Sequence, residues 1–124
     1  MYIYKGLIRP TLEYAVAVWN PHLSRDVDAV ESVQRRTTKI IPGFRNMSYE
    51  ERLRRLELPS LTYRRYRGDM IHTFKYMHNL YDSSNHSMFK PLDNHTRGHS
   101  LKLYKPRCRL QMRKSSFSHR SVDM

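Results

Sequence analysis

The chain predicts a mainly α-helical fold, a small bundle of about four helices followed by a basic C-terminal tail. Three observations predict it. Apolar residues recur at three- and four-residue steps through the first two-thirds of the chain. Helix start and stop chemistry brackets those stretches. Positive charge concentrates where the periodicity fades: residues 80–124 hold 9 basic and 3 acidic side chains, against 7 and 4 in each of 1–47 and 48–79.

The first helical stretch runs from Tyr2 to Trp19, with Leu7, Ile8, Leu12, Ala15, Val16 and Trp19 in register. Pro10 removes a backbone donor inside it, so a kink or fresh start is expected there, with the proline in a first turn. Asn20-Pro21 ends it. Ser24 is the expected N-cap of a second helix, with Asp26 and Asp28 in the turn where the helix dipole favours acids. Val27, Val30, Val33, Thr37, Ile40 and Ile41 share its expected core face. Asp28, Glu31, Arg35 and Lys39 share the other, Glu31 pairing with Arg35. Pro42-Gly43 stops this helix.

Ser48-Tyr49-Glu50-Glu51 is a capping box opening a short third helix, with Leu53 and Leu56 turned to the core. Ser60 caps the fourth and longest helix, expected to run to about Asn79. Tyr63, Tyr66, Met70, Phe74, Met77 and Tyr81 form its expected apolar stripe. Arg67 projects beside that stripe and is expected in a buried or half-buried ion pair, since an unpaired guanidinium there is costly. The domain organisation that follows is a helical region over 1–81, a polar linker over 82–95 and a basic segment over 96–124. Leu101 to Lys105 alternates like a short strand, and the remainder of the tail is expected to be irregular or disordered.

The net charge of the 124-residue chain is +12, its pI is about 10.2 and its mean hydropathy is −0.78. This balance points to a polyanionic partner, nucleic acid first and an acidic membrane surface second. Cys108 is the only cysteine, which excludes an intrachain disulfide and a multi-cysteine zinc site. No apolar run approaches the roughly 20 residues that span a bilayer. Lys5 and Arg9 break the N-terminal apolar stretch, so a secretory leader is not expected and an intracellular location, nucleus or cytoplasm, is.

No catalytic residue, metal ligand set or cofactor motif emerges. The close acidic pairs, Asp26/Asp28 and Glu50/Glu51, sit in first turns where capping explains them. Magnesium-dependent phosphoryl chemistry needs clustered carboxylates, and the glycines are isolated. His95, His99 and Cys108 match no recognised zinc spacing. The chemistry-bearing signal is basic: Arg35, Arg36, Lys39, Arg64, Arg65, Arg97, Lys102, Lys105, Arg107 and Arg109 are the expected phosphate contacts. Tyr63, Tyr66 and Tyr104 lie among them as candidate stacking partners, packing being the favoured role of the first two.

Several ordered blocks carry a resemblance across most of the chain. They are Tyr4-Lys5-x-Leu7-Ile8-Arg9-Pro10-x-Leu12-Glu13-Tyr14, Trp19-x-Pro21, Val33-Gln34-Arg35-Arg36, Ile41-Pro42-Gly43, Leu58-Pro59-Ser60-Leu61 and Tyr63-Arg64-Arg65-Tyr66-Arg67-Gly68-Asp69. Thr96-Arg97-Gly98-His99-Ser100-x-Lys102-Leu103, Arg113 and Phe117-Ser118-x-Arg120 complete them. Together they resemble the thumb and following segment of reverse transcriptases from jockey-like non-LTR retrotransposons. The resemblance implies helices that grip the template–primer backbone of an RNA-directed DNA polymerase. It also implies an ancestral partner in the palm and fingers. The family's Asp-Asp motif lies upstream of this segment and is absent here, so no catalysis is expected of the chain itself. The alternatives are a relic reading frame with a marginal fold, or a basic amphipathic protein that binds membranes or calmodulin.

Overall fold

The computed structural model describes residues 1–81, 88–92 and 101–123. It is mainly helical. A π-helical turn, Tyr4–Ile8, leads into α1 (Arg9–Glu13), and α2 (Val16–Trp19), α3 (Ser24–Ile40), α4 (Tyr49–Arg55) and α5 (Leu61–Met77) follow, with α6 (Gln111–Lys114) and α7 (Phe117–Arg120) near the end. Among the described residues there is no strand. Leu101–Tyr104 contributes one antiparallel bridge, Pro91 to Leu103, in place of the short strand expected there.

Pro10 marks a fresh start, as its chemistry predicts: the π turn ends at Ile8 and α1 begins at Arg9. The wider π turn sets it in the first turn of α1, where its missing N–H is not needed. Thr11 Oγ1 donates to the Leu7 carbonyl at 2.8 Å. A second break comes at Ala15, whose left-handed φ of 52° starts α2. Ser24 is the first residue of α3 and not its cap: extended Leu23 takes that position with no side-chain capping bond. Gly43, at φ 83°, turns the chain after α3 as its Pro-Gly signal predicts.

Ser48 Oγ accepts the Glu51 amide at 3.2 Å, forming one half of the capping box. Glu51 pairs forward with Arg55 at 3.2 Å. Ser60 Oγ likewise accepts the Tyr63 amide at 3.1 Å at the start of α5.

Two compact units divide the chain, Met1–Arg67 and Gly68–Met124, with the boundary inside α5. In the first, the interior is built as much from polar as from apolar side chains: Tyr4, Leu58 and Leu61 are buried beside Glu31, Gln34, Thr38, Arg52 and Arg65. The valine face expected on α3 is rotated by part of a turn. Val27, Val30 and Val33 are half-buried, Ile40 is 80% exposed, and Glu31, Gln34 and Thr38 take the inner line. Glu31 does not pair with Arg35. Its carboxylate accepts from the Tyr49 hydroxyl, from the amides of Leu61 at 3.3 Å and Thr62 at 3.2 Å, and from Thr62 Oγ1 at 3.5 Å. A carboxylate of α3 therefore caps α5, where the dipole favours negative charge. Gln34 accepts from the Tyr4 hydroxyl and donates to the Pro59 carbonyl at 3.1 Å. Burial pushes the Tyr4 hydroxyl up to about 12. Burial, with the Glu31 bond, raises Tyr49 further.

Most of the stripe expected to form the core face of α5 faces solvent, with Met77 and Tyr81 half-buried at its end. In the first unit Tyr63 is 60% and Tyr66 53% exposed; in the second, Met70 is 60% and Phe74 58% exposed. Buried instead are Leu61, Arg65 and Asp69, a second four-step line on the same helix. Arg67 is exposed and carries no buried ion pair. In the second unit Asp69, 1% exposed, accepts from Arg120 Nε at 2.7 Å and Nη2 at 2.9 Å, a bidentate pair. Arg120 Nη1 also donates to the Ser115 carbonyl at 3.0 Å. Phe89 anchors this unit, with ring centroids 5.3 Å from Tyr76 and 5.7 Å from Phe117. The C-terminal stretch expected to be irregular is thus organised over 111–123 by α6, α7 and the Asp69–Arg120 pair.

Candidate nucleic-acid interface

Each unit carries its own basic surface. In the first, α3 presents Arg35 and Lys39 on one face, four residues apart, with Arg36 flanking them about a quarter-turn round. All are exposed, and none has a carboxylate partner among the described residues. Arg35 lies over the Tyr49 ring, 5.1 Å from its centroid, which holds the guanidinium beside the helix. The inner line of α3, through Gln34 and Thr38, is what turns these three cations outward.

Arg64 and Arg65 part company with this group. Arg64 grips Glu13 through Nε and, at 2.8 Å, Nη2. That hydrogen-bonded pair holds its guanidinium more firmly charged than usual, but the charge is matched. Arg65 is 5% exposed, its Nε donating to the Leu61 carbonyl at 3.2 Å and its Nη2 without a hydrogen-bond partner among the described residues. Burial lowers its pKa. Its guanidinium faces the interior, so Arg65 is corrected from a phosphate contact to a structural cation.

In the second unit, Arg107 and Arg109 are exposed, and Lys102 is half-buried. Lys105 is paired with Asp123 at the surface. Arg97, His95 and His99 lie outside the described residues. Two clefts open here. The first, about 320 Å³, is lined by Lys105, Pro106, Arg107, Cys108, Lys114, His119 and Asp123. The second, about 360 Å³, is lined by Phe89, Lys90, Tyr104, Arg113 and Ser118, among others, and shares Pro106 and His119 with the first. His119 is buried; its Nδ1 lies 3.2 Å from Ser116 Oγ, and its Nε2 has no hydrogen-bond partner among the described residues. Apart from Lys90, which falls in the stretch read as a polar linker, the lysines and arginines of these clefts were legible as a basic run. His119 was not, because nothing in the local sequence marks it as buried.

Among the described residues, no group of three or more His, Cys, Asp or Glu side chains is placed to hold a metal ion. No described helix is long and apolar enough to cross a membrane. No protein-family model, curated protein or solved structure matches the chain.

Proposed function

We propose that this chain binds the phosphate backbone of nucleic acid, as a thumb-like segment of a retroelement RNA-directed DNA polymerase that performs no catalysis alone. The observation that carries the binding reading is the exposed Arg35–Arg36–Lys39 face of α3, three cations within one helical turn and unmatched by acids among the described residues. Helix-borne cations at this spacing suit successive phosphates and carry no base-specific information. The surplus of +12 supports the same reading. The polymerase origin rests on the ordered sequence blocks from Tyr4 to Arg120. The exposed Tyr63 and Tyr66 are consistent with a helix that packs against a palm in the parent enzyme.

Fluorescence anisotropy with a labelled RNA–DNA hybrid, read across a salt series, tests it. Log affinity should fall linearly with log salt, by about 0.9 per phosphate neutralised. Changing both Arg36 and Lys39 to Gln should flatten the slope by roughly two. Salt-independent binding, or a slope unchanged in the double variant, refutes the assignment. Primer extension with magnesium and deoxynucleotides tests the other half: incorporation by the isolated chain would overturn the non-catalytic reading.

A further inference from the structure

The paired clefts of the second unit differ in chemistry. The first holds three cations, Lys105, Arg107 and Lys114, against one carboxylate, Asp123. Two positive charges remain, arranged around a concavity too small for a helix and suited to one phosphate with part of its sugar. The second cleft adds a half-exposed aromatic ring, Tyr104, with Lys90 and Arg113 beside it. Pro106 and His119 form the wall common to both.

We propose that the two clefts together take one unpaired nucleotide of a single strand, its phosphate in the first and its base against Tyr104 in the second. Tyr104 is the ring able to do this. Phe89 is buried, in T-shaped contact with Tyr76 and Phe117. Tyr104 is held by its backbone, its amide donating to the Lys90 carbonyl at 2.8 Å, which leaves the ring on the rim. A base stacks on such a ring whatever its identity, and a duplex cannot offer one without unpairing.

His119 adds a second, independent observation. Ser116 Oγ donates to the Arg113 carbonyl at 2.7 Å, and Nδ1 of His119 lies 3.2 Å from that hydroxyl and 3.5 Å from Ser118 Oγ. Nε2 is buried with no hydrogen-bond partner among the described residues, and an unmet buried polar atom is costly. His119 lines both clefts, so a nucleotide seated across them brings polar groups next to its ring.

This inference deepens the backbone-binding reading and rests on it, so the test separates the two. The full chain is titrated with a labelled unpaired 12-mer and with the same sequence as a duplex, at one salt concentration. Tyr104→Ala should weaken the single strand about tenfold or more and the duplex less than twofold, with Tyr104→Phe restoring the single strand. His119→Gln, its fold checked by circular dichroism, should also weaken the single strand selectively. Equal loss on both ligands, or no loss on either, overturns the nucleotide site and leaves backbone binding standing. Failure to bind either ligand at low salt overturns both.

Discussion

Removing the Glu31 carboxylate should be among the most damaging single changes available in the first unit. Glu31 is 5% exposed and receives four donors from two other elements: the Tyr49 hydroxyl on α4, and the Leu61 and Thr62 amides with the Thr62 hydroxyl at the start of α5. Its negative charge also offsets the buried Arg65 guanidinium. Glu31→Ala strands these donors and leaves that cation uncompensated. A hydrogen bond to a charged group contributes about 1.5–3 kcal/mol, and a stranded buried donor costs about 1–3. Part of this is offset, because the carboxylate no longer has to be desolvated. The net loss should be about 3–5 kcal/mol, the range found when one partner of a buried pair is removed. Against a total stability of about 5–15 kcal/mol, that is a large share. Glu31→Gln keeps an acceptor of the same shape but not the charge, and should lose about 1–2 kcal/mol. Arg65→Met added to Glu31→Gln should recover part of it. Urea unfolding followed by helical circular dichroism at pH 7 measures each, with Glu50→Ala as an exposed control. If Glu31→Ala falls within about 0.5 kcal/mol of the parent, like an ordinary surface change, Glu31 does not cap α5 and the polar interior of the first unit is wrong.

The second unit offers a parallel case: Asp69→Ala should cost about 3–5 kcal/mol by stranding Arg120, read as a lower urea midpoint. Raising the pH should destabilise the first unit through Tyr4 and Tyr49, whose hydroxyls ionise later in the folded chain than in the unfolded one. Their stabilisation is complete below pH 10 and is lost as the pH rises from 10 through about 12, so Tyr4→Phe should flatten the alkaline limb of a urea-midpoint profile. Met70→Lys should leave stability within about 0.5 kcal/mol, since the side chain is exposed; a loss of about 2–5 kcal/mol would return it to a core.

The sequence signals that held were those whose chemistry is local. Pro42-Gly43, Ser48 and Ser60 act on amides within four residues of themselves, so their meaning survives any tertiary arrangement. The faces of α3 and α5 did not hold, for one shared reason. Hydropathy ranks Ile40, Tyr66 and Met70 as core, yet a helix buries whichever line meets its partners. Here that line runs through Glu31 and Gln34 on α3 and through Leu61, Arg65 and Asp69 on α5. Each set is spaced at three or four residues, so a stripe was present to be read, but only a reader willing to bury charge would choose it. The partners that make such burial tolerable lie 30 residues away for Glu31 and Leu61, and 51 away for Asp69 and Arg120.

The same exchange of faces determines which cations can bind a ligand. Had α3 buried its full valine and isoleucine line, Glu31 would stand outside with Arg35 and Lys39 and cancel part of their charge. Turning Glu31 inward to cap α5 strips the outer face of its acid and leaves Arg35, Arg36 and Lys39 unopposed. In the same way Arg64 is matched by Glu13, and Arg65 is drawn inside. Acids spent on structure are thus what make the remaining basic surface strong, which links the stability of the first unit to its proposed affinity for phosphate. Glu31→Ala exposes the link directly: a variant that still folds should bind the hybrid with an unchanged salt slope, since no phosphate contact has been removed.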